Sequence, residues 1–492
     1  MKINTLDKKA IVVGSGIAGI ASAIRLAVKG YSVQIFEKNS YPGGKLTSIE
    51  LGSYRFDAGP SLFTMPQFVE ELFNLAGKKP VDYFTYNKCE VACHYFFEDG
   101  TFLPFPVDQN GVLKEVEEKL KIDTKPLKDH FLRSEFIYNK THKTFLERSL
   151  HLAKSYWSKD ILETIMAIPN LGLFSTMHSV NAKKLNHPKL VQIYDRFATY
   201  NGSNPYQAPA TLNVIPHLEH GFGTYYPKKG MGDITQSLMK LAKDLGVELF
   251  LNHPVDEIIE ENKVVKGIRS KDKVFPANLV FCNADVHPAY EHLLPKQKIP
   301  SKVEKQEPSS SAMIFYWGIK KQFPQLDMQN IFFSEHYKEE FDAIFNEKTV
   351  HFDPTVYIHV SSKMKTDDAP SYGENWFVMM NVPPNTGQDW EKLRIEIRAN
   401  VISKLSRMLG VSVEELIEEE DYLDPVRIEE RTSSYAGALY GASSNDRMAA
   451  FFRHPNFSPV KGLHFVGGSV HPGGGIPLCL LSAKIAVGTI KD

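Results

Sequence analysis

The chain has 492 residues, of which 42% are hydrophobic and 23% charged, with a formal net charge of −1 at pH 7. That length exceeds one ordinary core, so two or more domains are expected, and the balanced charge excludes a global basic field for nucleic acid. Four cysteines are too few for a disulfide scaffold in a chain this long; they point to a reducing compartment, the cytoplasm.

The polar start, Met1 to Lys9, runs into only four apolar residues and does not read as a signal peptide. Those residues, Ala10 to Val13, are predicted as a strand buried on both faces. The strand ends in Gly14-Ser15-Gly16-Ile17-Ala18-Gly19, a G-x-G-x-x-G turn. A helix follows, with Ile17, Ile20, Ile24 and Ala27 on one face and Gly30 stopping it. Val33 to Phe36 is a second strand with Glu37 at its end. Each part suits a dinucleotide: Gly14 makes the turn, Gly16 admits a pyrophosphate to the backbone, and Gly19 lets helix and sheet close together. The helix N-terminus offers N–H groups to phosphate, and Glu37 can accept hydrogen bonds from a ribose hydroxyl.

Further on, Cys89 and Cys93 flank no second pair, so no metal site is predicted, even with His94 adjacent. Between Lys125 and Asp160 eight basic residues, among them Lys140, Arg148 and Lys154, face four acids, with Phe131, Phe136, Tyr138, Phe145, Tyr156 and Trp157 interleaved. An apolar patch follows, from Ile161 and Leu162 through Ile165 and Met166 to Phe174. This pattern suits a helix in a lipid headgroup layer, or equally a solvated helix with a core face. No stretch approaches the roughly 18 apolar residues of a spanning helix. Ala312 to Ile319 and Trp376 to Val382 read as strands, and Glu418 to Asp421 as a solvated helix end.

Several segments carry a family resemblance. Glu37-Lys38 followed by Gly43-Gly44-Lys45 resembles the second fingerprint of FAD-containing, amine-oxidase-like flavoproteins, which usually have Arg where Lys45 stands. Gly59-Pro60-Ser61 looks like a turn these proteins place near the flavin. Tyr226 to Val247 resembles another of their segments, with Lys229 in place of a usual Gly; Val255 resembles the residue at the adenine side, and Asn283-Ala284 the end of that lobe. The C-terminal Gly467-Gly468 and His471-Pro472-Gly473-Gly474-Gly475-Ile476 resemble the signature of the bacterial-type phytoene desaturase family.

This resemblance implies an α/β fold: a Rossmann-type FAD-binding domain (1–74, 215–290 and 456–492) and a discontinuous mixed α+β substrate-binding domain (75–214 and 291–455), with a membrane-contacting helical region near 125–175. It implies FAD held by Gly14, Ser15, Gly16, Ile17, Ala18, Gly19, Glu37, Lys38, Gly43, Gly44, Lys45, Gly59, Pro60, Ser61, Val255, Asn283, Ala284, Gly467, Gly468, Gly474, Gly475 and Ile476. The activity implied is carotenoid desaturation, with hydride passing to flavin and a proton lost. Tyr54 to Pro66 looks like desaturases acting near a carotenoid end, at the 3,4 bond. Phytoene desaturation, carotene cis–trans isomerisation, amine or porphyrinogen oxidation and redox-free prenyl-lipid carriage are alternatives on the same frame. Such chemistry needs a long apolar tunnel rather than a polar cluster. Candidate proton acceptors are Glu219, His217, His220 and His471, with a structural hydrogen-bonding role the favoured reading for each. Electrons would leave to oxygen or a quinone at a peripheral membrane site.

Overall fold

The computed structural model of the chain describes residues 8–152, 159–446, 449 and 453–490. Lys154, Tyr156 and Trp157 of the basic–aromatic run lie outside them.

A five-stranded, all-parallel sheet has the order Leu463–Phe465, Leu279–Cys282, Lys9–Val13, Ser32–Phe36, Glu248–Phe250. Its central strand is apolar at every second residue on both sides, and each side has its own core. Ala10 and Val12 pack under the helices Ile17–Val28, Gly232–Asp244 and Ile476–Val487. Ile11 and Val13 pack with Ile258, Val265 and Ile268 of a three-stranded antiparallel sheet. The chain leaves the central strand toward Ser32–Phe36 on one side, while Leu279–Cys282 flanks it on the other. The carboxyl ends of these two neighbours therefore open a crevice at a topological switch point, where open α/β sheets bind ligands.

The second sheet has seven strands in the order Ile417–Leu423, Ser311–Ile319, Glu374–Val382, Val356–Val360, Gln329–Phe332, Val91–Phe96, Phe102–Pro106. Strand alternation sends Met313, Phe315 and Trp317 to one face, against Ile397, Val401 and Leu405 of helix Trp390–Leu409. Ile314 and Tyr316 point to the other face, with Tyr54 and Phe56 of the hairpin Ser48–Leu51/Tyr54–Asp57. Both runs read as strands from sequence lie here. Glu418 to Asp421 instead form the edge strand, a correction of the helix-end expectation. Glu420 pairs with Arg398 at 2.7 Å on one face, while Glu418, at a register shift opposite Gly318 and Ile319, reaches the other face and accepts from the Tyr54 hydroxyl at 2.5 Å. A helical layer covers the far end of this sheet, with Val112, Leu127, Phe131, Leu190 and Phe341 among its buried residues. We assign the proposed cofactor domain to the parallel sheet and the proposed substrate domain to the seven-stranded one.

Candidate active site

The glycine loops are close-packed by backbone as much as by side chains. A Cβ on Gly19 would lie 2.2 Å from the Gly14 carbonyl oxygen, and one on Gly59 would lie 1.9 Å from the Lys45 carbonyl oxygen. Asn283 links three segments here. Its Oδ1 accepts from the Gly19 N–H at 3.0 Å, its Nδ2 donates to Val466 O at 3.0 Å, and its own N–H donates to Val13 O at 2.8 Å. Glu37 is buried, and its carboxylate accepts from the Ser15 N–H (2.8 Å), the Ser15 hydroxyl (2.7 Å) and the Asn39 N–H (2.9 Å). Those bonds fix the carboxylate at the end of its strand and leave lone pairs for a ligand hydroxyl.

One cavity of about 720 Å³ joins these loops to the seven-stranded sheet. Of the residues expected to contact a flavin nucleotide, all but Ser15 and Gly19 line it. Ser15 is turned to Glu37, and Gly19 lies beneath the Gly14 turn. Two helices begin at its wall without a side-chain cap, at Gly16 and at Gly475. Their first-turn N–H groups and dipoles suit the phosphates of a dinucleotide. Lys38 and Lys45 line the cavity, and their ammonium groups also bond within the protein. Lys38 Nζ donates to Glu430 O (2.6 Å) and Ser433 Oγ (2.7 Å), and Lys45 Nζ to Ala438 O (3.2 Å) and Leu439 O (3.0 Å). Burial lowers the Lys45 ammonium below its usual range, with Asp285 opposing.

Arg453 was not legible as a site residue. It is buried in the cavity wall and donates to four neutral oxygens: Tyr440 O, Gly468 O, Asn201 Oδ1 and Ala442 O. Burial pulls its guanidinium down to about 10. An anionic ligand in this cavity would offset that cost. Uncapped helix starts, glycines with no room for a Cβ and this guanidinium all fit FAD. The turn at Ser61 is tied to the sheet by a closed set of bonds. Ser61 Oγ lies 2.6 Å from the Tyr357 hydroxyl, Tyr357 donates to Gln329 Oε1, and Gln329 Nε2 donates to Ser61 O at 2.9 Å.

Beyond that turn the lining is mostly apolar: Leu62, Leu218, Ile314, Ile331, Phe377, Met379 and Leu423. None of the four candidate proton acceptors lines the cavity. Glu219 stands one layer behind it: Tyr200, a lining residue, donates to its Oε2 at 2.9 Å. Its Oε1 lies 3.9 Å from Arg196 and 3.8 Å from His220, and accepts no hydrogen bond among the described residues. Arg196, also lining, sits among the rings of Tyr95, Phe197 and Tyr200. His220 is buried against Phe131 and lowered by burial; His217 packs on Tyr138 and Phe222. His471 Nε2 lies 2.7 Å from Arg148 O, and burial pulls it down to about 4, so it is neutral near pH 7. Arg196 escapes sequence reasoning because Tyr95, which closes its ring cage, and the Glu219 carboxylate nearby come from distant segments.

The cavity also reaches Tyr138, His142, Leu146 and Glu147. Helix Lys159–Leu171 is tied to this segment by Thr144–Thr164 (2.9 Å) and Arg148–Asp160 (2.6 Å). It buries Ile161, Thr164, Ala167 and Leu171 yet leaves Leu162, Ile165 and Met166 more than half exposed, with Phe174 just beyond at 75%. Lys140, Lys143 and Arg148 pair with Glu163 and Asp160, so part of the basic run neutralises itself. No described helix is long and apolar enough to cross a membrane.

The family of flavin-containing amine oxidoreductases matches residues 17–491. The 1-hydroxycarotenoid 3,4-desaturase of Flavobacterium sp. (strain P99-3) is 52% identical over 99% of both chains. The 4,4'-diapolycopene oxygenase of Methylomonas sp is 34% identical over 97% of both chains. Among solved structures, an oxidoreductase from Methanosarcina mazei aligns with a TM-score of 0.64 at 14% identity, covering 97% of this chain and 99% of its own. A putrescine oxidase mutant aligns with a TM-score of 0.65 at 13% identity, covering 98% of both chains; at such identities the likeness concerns fold alone.

Proposed function

The chain belongs to the flavin-containing amine oxidoreductase family, and from that premise we propose that it desaturates an acyclic carotenoid near its end, at the 3,4 bond of a 1-hydroxylated substrate. It is an FAD-dependent oxidoreductase. The observation that carries the reading is one continuous cavity, which runs from the glycine loops into an apolar chamber floored by one face of the seven-stranded sheet. The 52% identity along nearly the whole chain to a desaturase, against 34% to an oxygenase, supports dehydrogenation over oxygen insertion.

FAD bound along the glycine loops supplies a two-electron acceptor for a hydride equivalent from an unactivated C–H bond. The loops at Gly14–Gly16, Gly43–Gly44 and Gly474–Gly475 and the Glu37 carboxylate would hold it. The chain's apolar wall does the rest of the positioning. Ile314, Phe377, Met379 and Leu423 exclude water and keep the polyene extended beside the 59–61 turn. The second hydrogen leaves as a proton. Glu219, reached through Tyr200 in the cavity wall, is the proposed holder: Tyr200 takes the proton on its oxygen as it gives its own to Glu219. His220 lies behind Glu219 at 3.8 Å, His217 packs apart from it on Tyr138 and Phe222, and His471 is proposed to brace the C-terminal loop.

The exposed apolar face of Lys159–Leu171, beside the segment that lines the cavity, supports peripheral attachment to a membrane from which the carotenoid enters. A membrane quinone or oxygen is the proposed final electron acceptor. The test is incubation of FAD-loaded protein with acyclic carotenoids, with and without a 1-hydroxyl, reading product mass and absorption. Loss of two hydrogens with a red-shifted spectrum is expected. An isomer of unchanged mass, or a product heavier by oxygen, would overturn it.

A further inference from the structure

One part of the cavity wall does not match the apolar chamber around it. Helix Tyr337–Asp342 presents Glu340 and Phe341 there, next to Thr355 and Ile331. Glu340 is only 3% exposed. Its carboxyl is braced from one side by a single residue: Oε1 accepts from the Thr355 N–H at 2.9 Å and Oε2 from the Thr355 hydroxyl at 2.7 Å. Each oxygen keeps capacity for another partner. Burial pushes this carboxyl up to about 7, against the pull of the Thr355 bonds and Lys404. In its protonated form it can donate as well as accept.

Its location is as informative as its chemistry. Thr355 is two residues before Tyr357, about 7 Å along extended chain, and the Tyr357 hydroxyl lies 2.6 Å from Ser61 Oγ of the 59–61 turn. Glu340, Thr355, Tyr357 and Ser61 thus line one cavity, with a polar group on the same wall as the 59–61 turn, which suits a substrate carrying a hydroxyl near the carbon being dehydrogenated. A buried carboxyl without such a partner would be a cost in an apolar chamber.

We infer that Glu340, braced by Thr355, receives the hydroxyl at the end of the carotenoid and thereby sets which bond lies beside the 59–61 turn. The inference rests on the desaturase reading above and adds the residue that selects for the hydroxylated end. Glu340 acts as a specificity and positioning residue; it takes no part in hydrogen transfer.

The test compares kcat/KM of the FAD-loaded enzyme for a 1-hydroxylated acyclic carotenoid and for the same polyene with hydrogen in place of the hydroxyl. The wild type is expected to prefer the hydroxylated substrate by about tenfold or more, the worth of one buried hydrogen bond. Glu340→Leu is expected to bring the two substrates to near parity, mainly through KM, and Glu340→Gln, which keeps a donor and an acceptor, to restore much of the preference. A merely structural role would slow both substrates alike and leave their ratio intact, and that result would overturn the inference. Should Glu340→Leu fail to fold, Thr355→Val, which removes the bracing hydroxyl, is expected to lower the ratio a few-fold. Parity in the wild type overturns the inference while leaving desaturation standing. No turnover of either carotenoid overturns the desaturase reading and this inference with it.

Discussion

Replacing Gly19 by alanine sets two effects of known size against each other. Gly19 lies in the first turn of helix Ile17–Val28, where alanine is intrinsically favoured by about 1 kcal/mol. The added Cβ, however, would lie 2.2 Å from the Gly14 carbonyl oxygen and 3.0 Å from Asn283 Oδ1. The nearer atom is backbone at the end of the central strand, so no rotamer relieves the contact. The helix start must retreat by about 1 Å, at an overpacking cost of about 1–3 kcal/mol. Net destabilisation is thus about 0–2 kcal/mol, small beside the effect on the ligand. The retreat breaks the Gly19 N–H bond to Asn283 and draws the uncapped first turn away from the phosphates. Titration of apoprotein with FAD, alongside thermal melts, is expected to show Kd raised by about tenfold or more, equivalent to about 1.4 kcal/mol. Gly77→Ala is the control: nothing lies within 4 Å of its Cβ, and its φ of +69° carries only a local backbone penalty. Its FAD affinity should not change. A Gly19→Ala protein with wild-type affinity and a raised Tm would refute the close-packed phosphate site.

Three further outcomes follow from the same geometry. Glu37→Ala leaves the buried Ser15 N–H without its acceptor, at about 1–3 kcal/mol, and the flavin-to-protein absorbance ratio after gel filtration should fall; an unchanged ratio would contradict the ribose role. His464 is pulled from 6.5 to about 4 by burial, so the folded state refuses a proton that the unfolded chain takes up. Its contribution to stability is complete above about 6.5 and is lost as pH falls through about 4. The difference in Tm between wild type and His464→Gln should therefore shrink over that window, and a pH-independent difference would contradict it. Combined Ile165→Ser, Met166→Ser and Phe174→Ser should reduce cosedimentation with anionic vesicles while leaving turnover of detergent-dispersed substrate; equal sedimentation would remove the membrane-facing role of Lys159–Leu171.

The parts of the site that could be read from sequence are those in which chemistry and local structure coincide. Gly14 to Gly19 and Glu37 belong to one strand–turn–helix–strand unit, whose spacing fixes the geometry before any tertiary contact forms. The C-terminal Gly474-Gly475-Ile476 was legible for the same reason: an uncapped helix start follows directly. Asp57 was not legible in its actual role. It accepts from Tyr226 and the Met231 N–H, residues that only the fold brings to it. Glu340 and Thr355 look like ordinary surface residues in sequence, and they gain meaning only where a short helix abuts a strand end. The acid run at Glu418 was misread because consecutive carboxylates suggest a solvated helix, whereas pairing with Ser311–Ile319 imposes strand alternation. Lys38 and Lys45 line the cavity as the fingerprint implies, while their bonds to carbonyls of the 430–439 segment depend on the fold and could not be read from sequence.

Anaerobic mixing of the FAD-loaded protein with a stoichiometric 1-hydroxylated acyclic carotenoid examines the coupling of cavity and cofactor most directly. The flavin absorption should bleach in step with lengthening of the polyene chromophore, one flavin for each double bond introduced. A lengthened or isomerised polyene beside a flavin that stays oxidised, or no spectral change in either partner, would contradict the account.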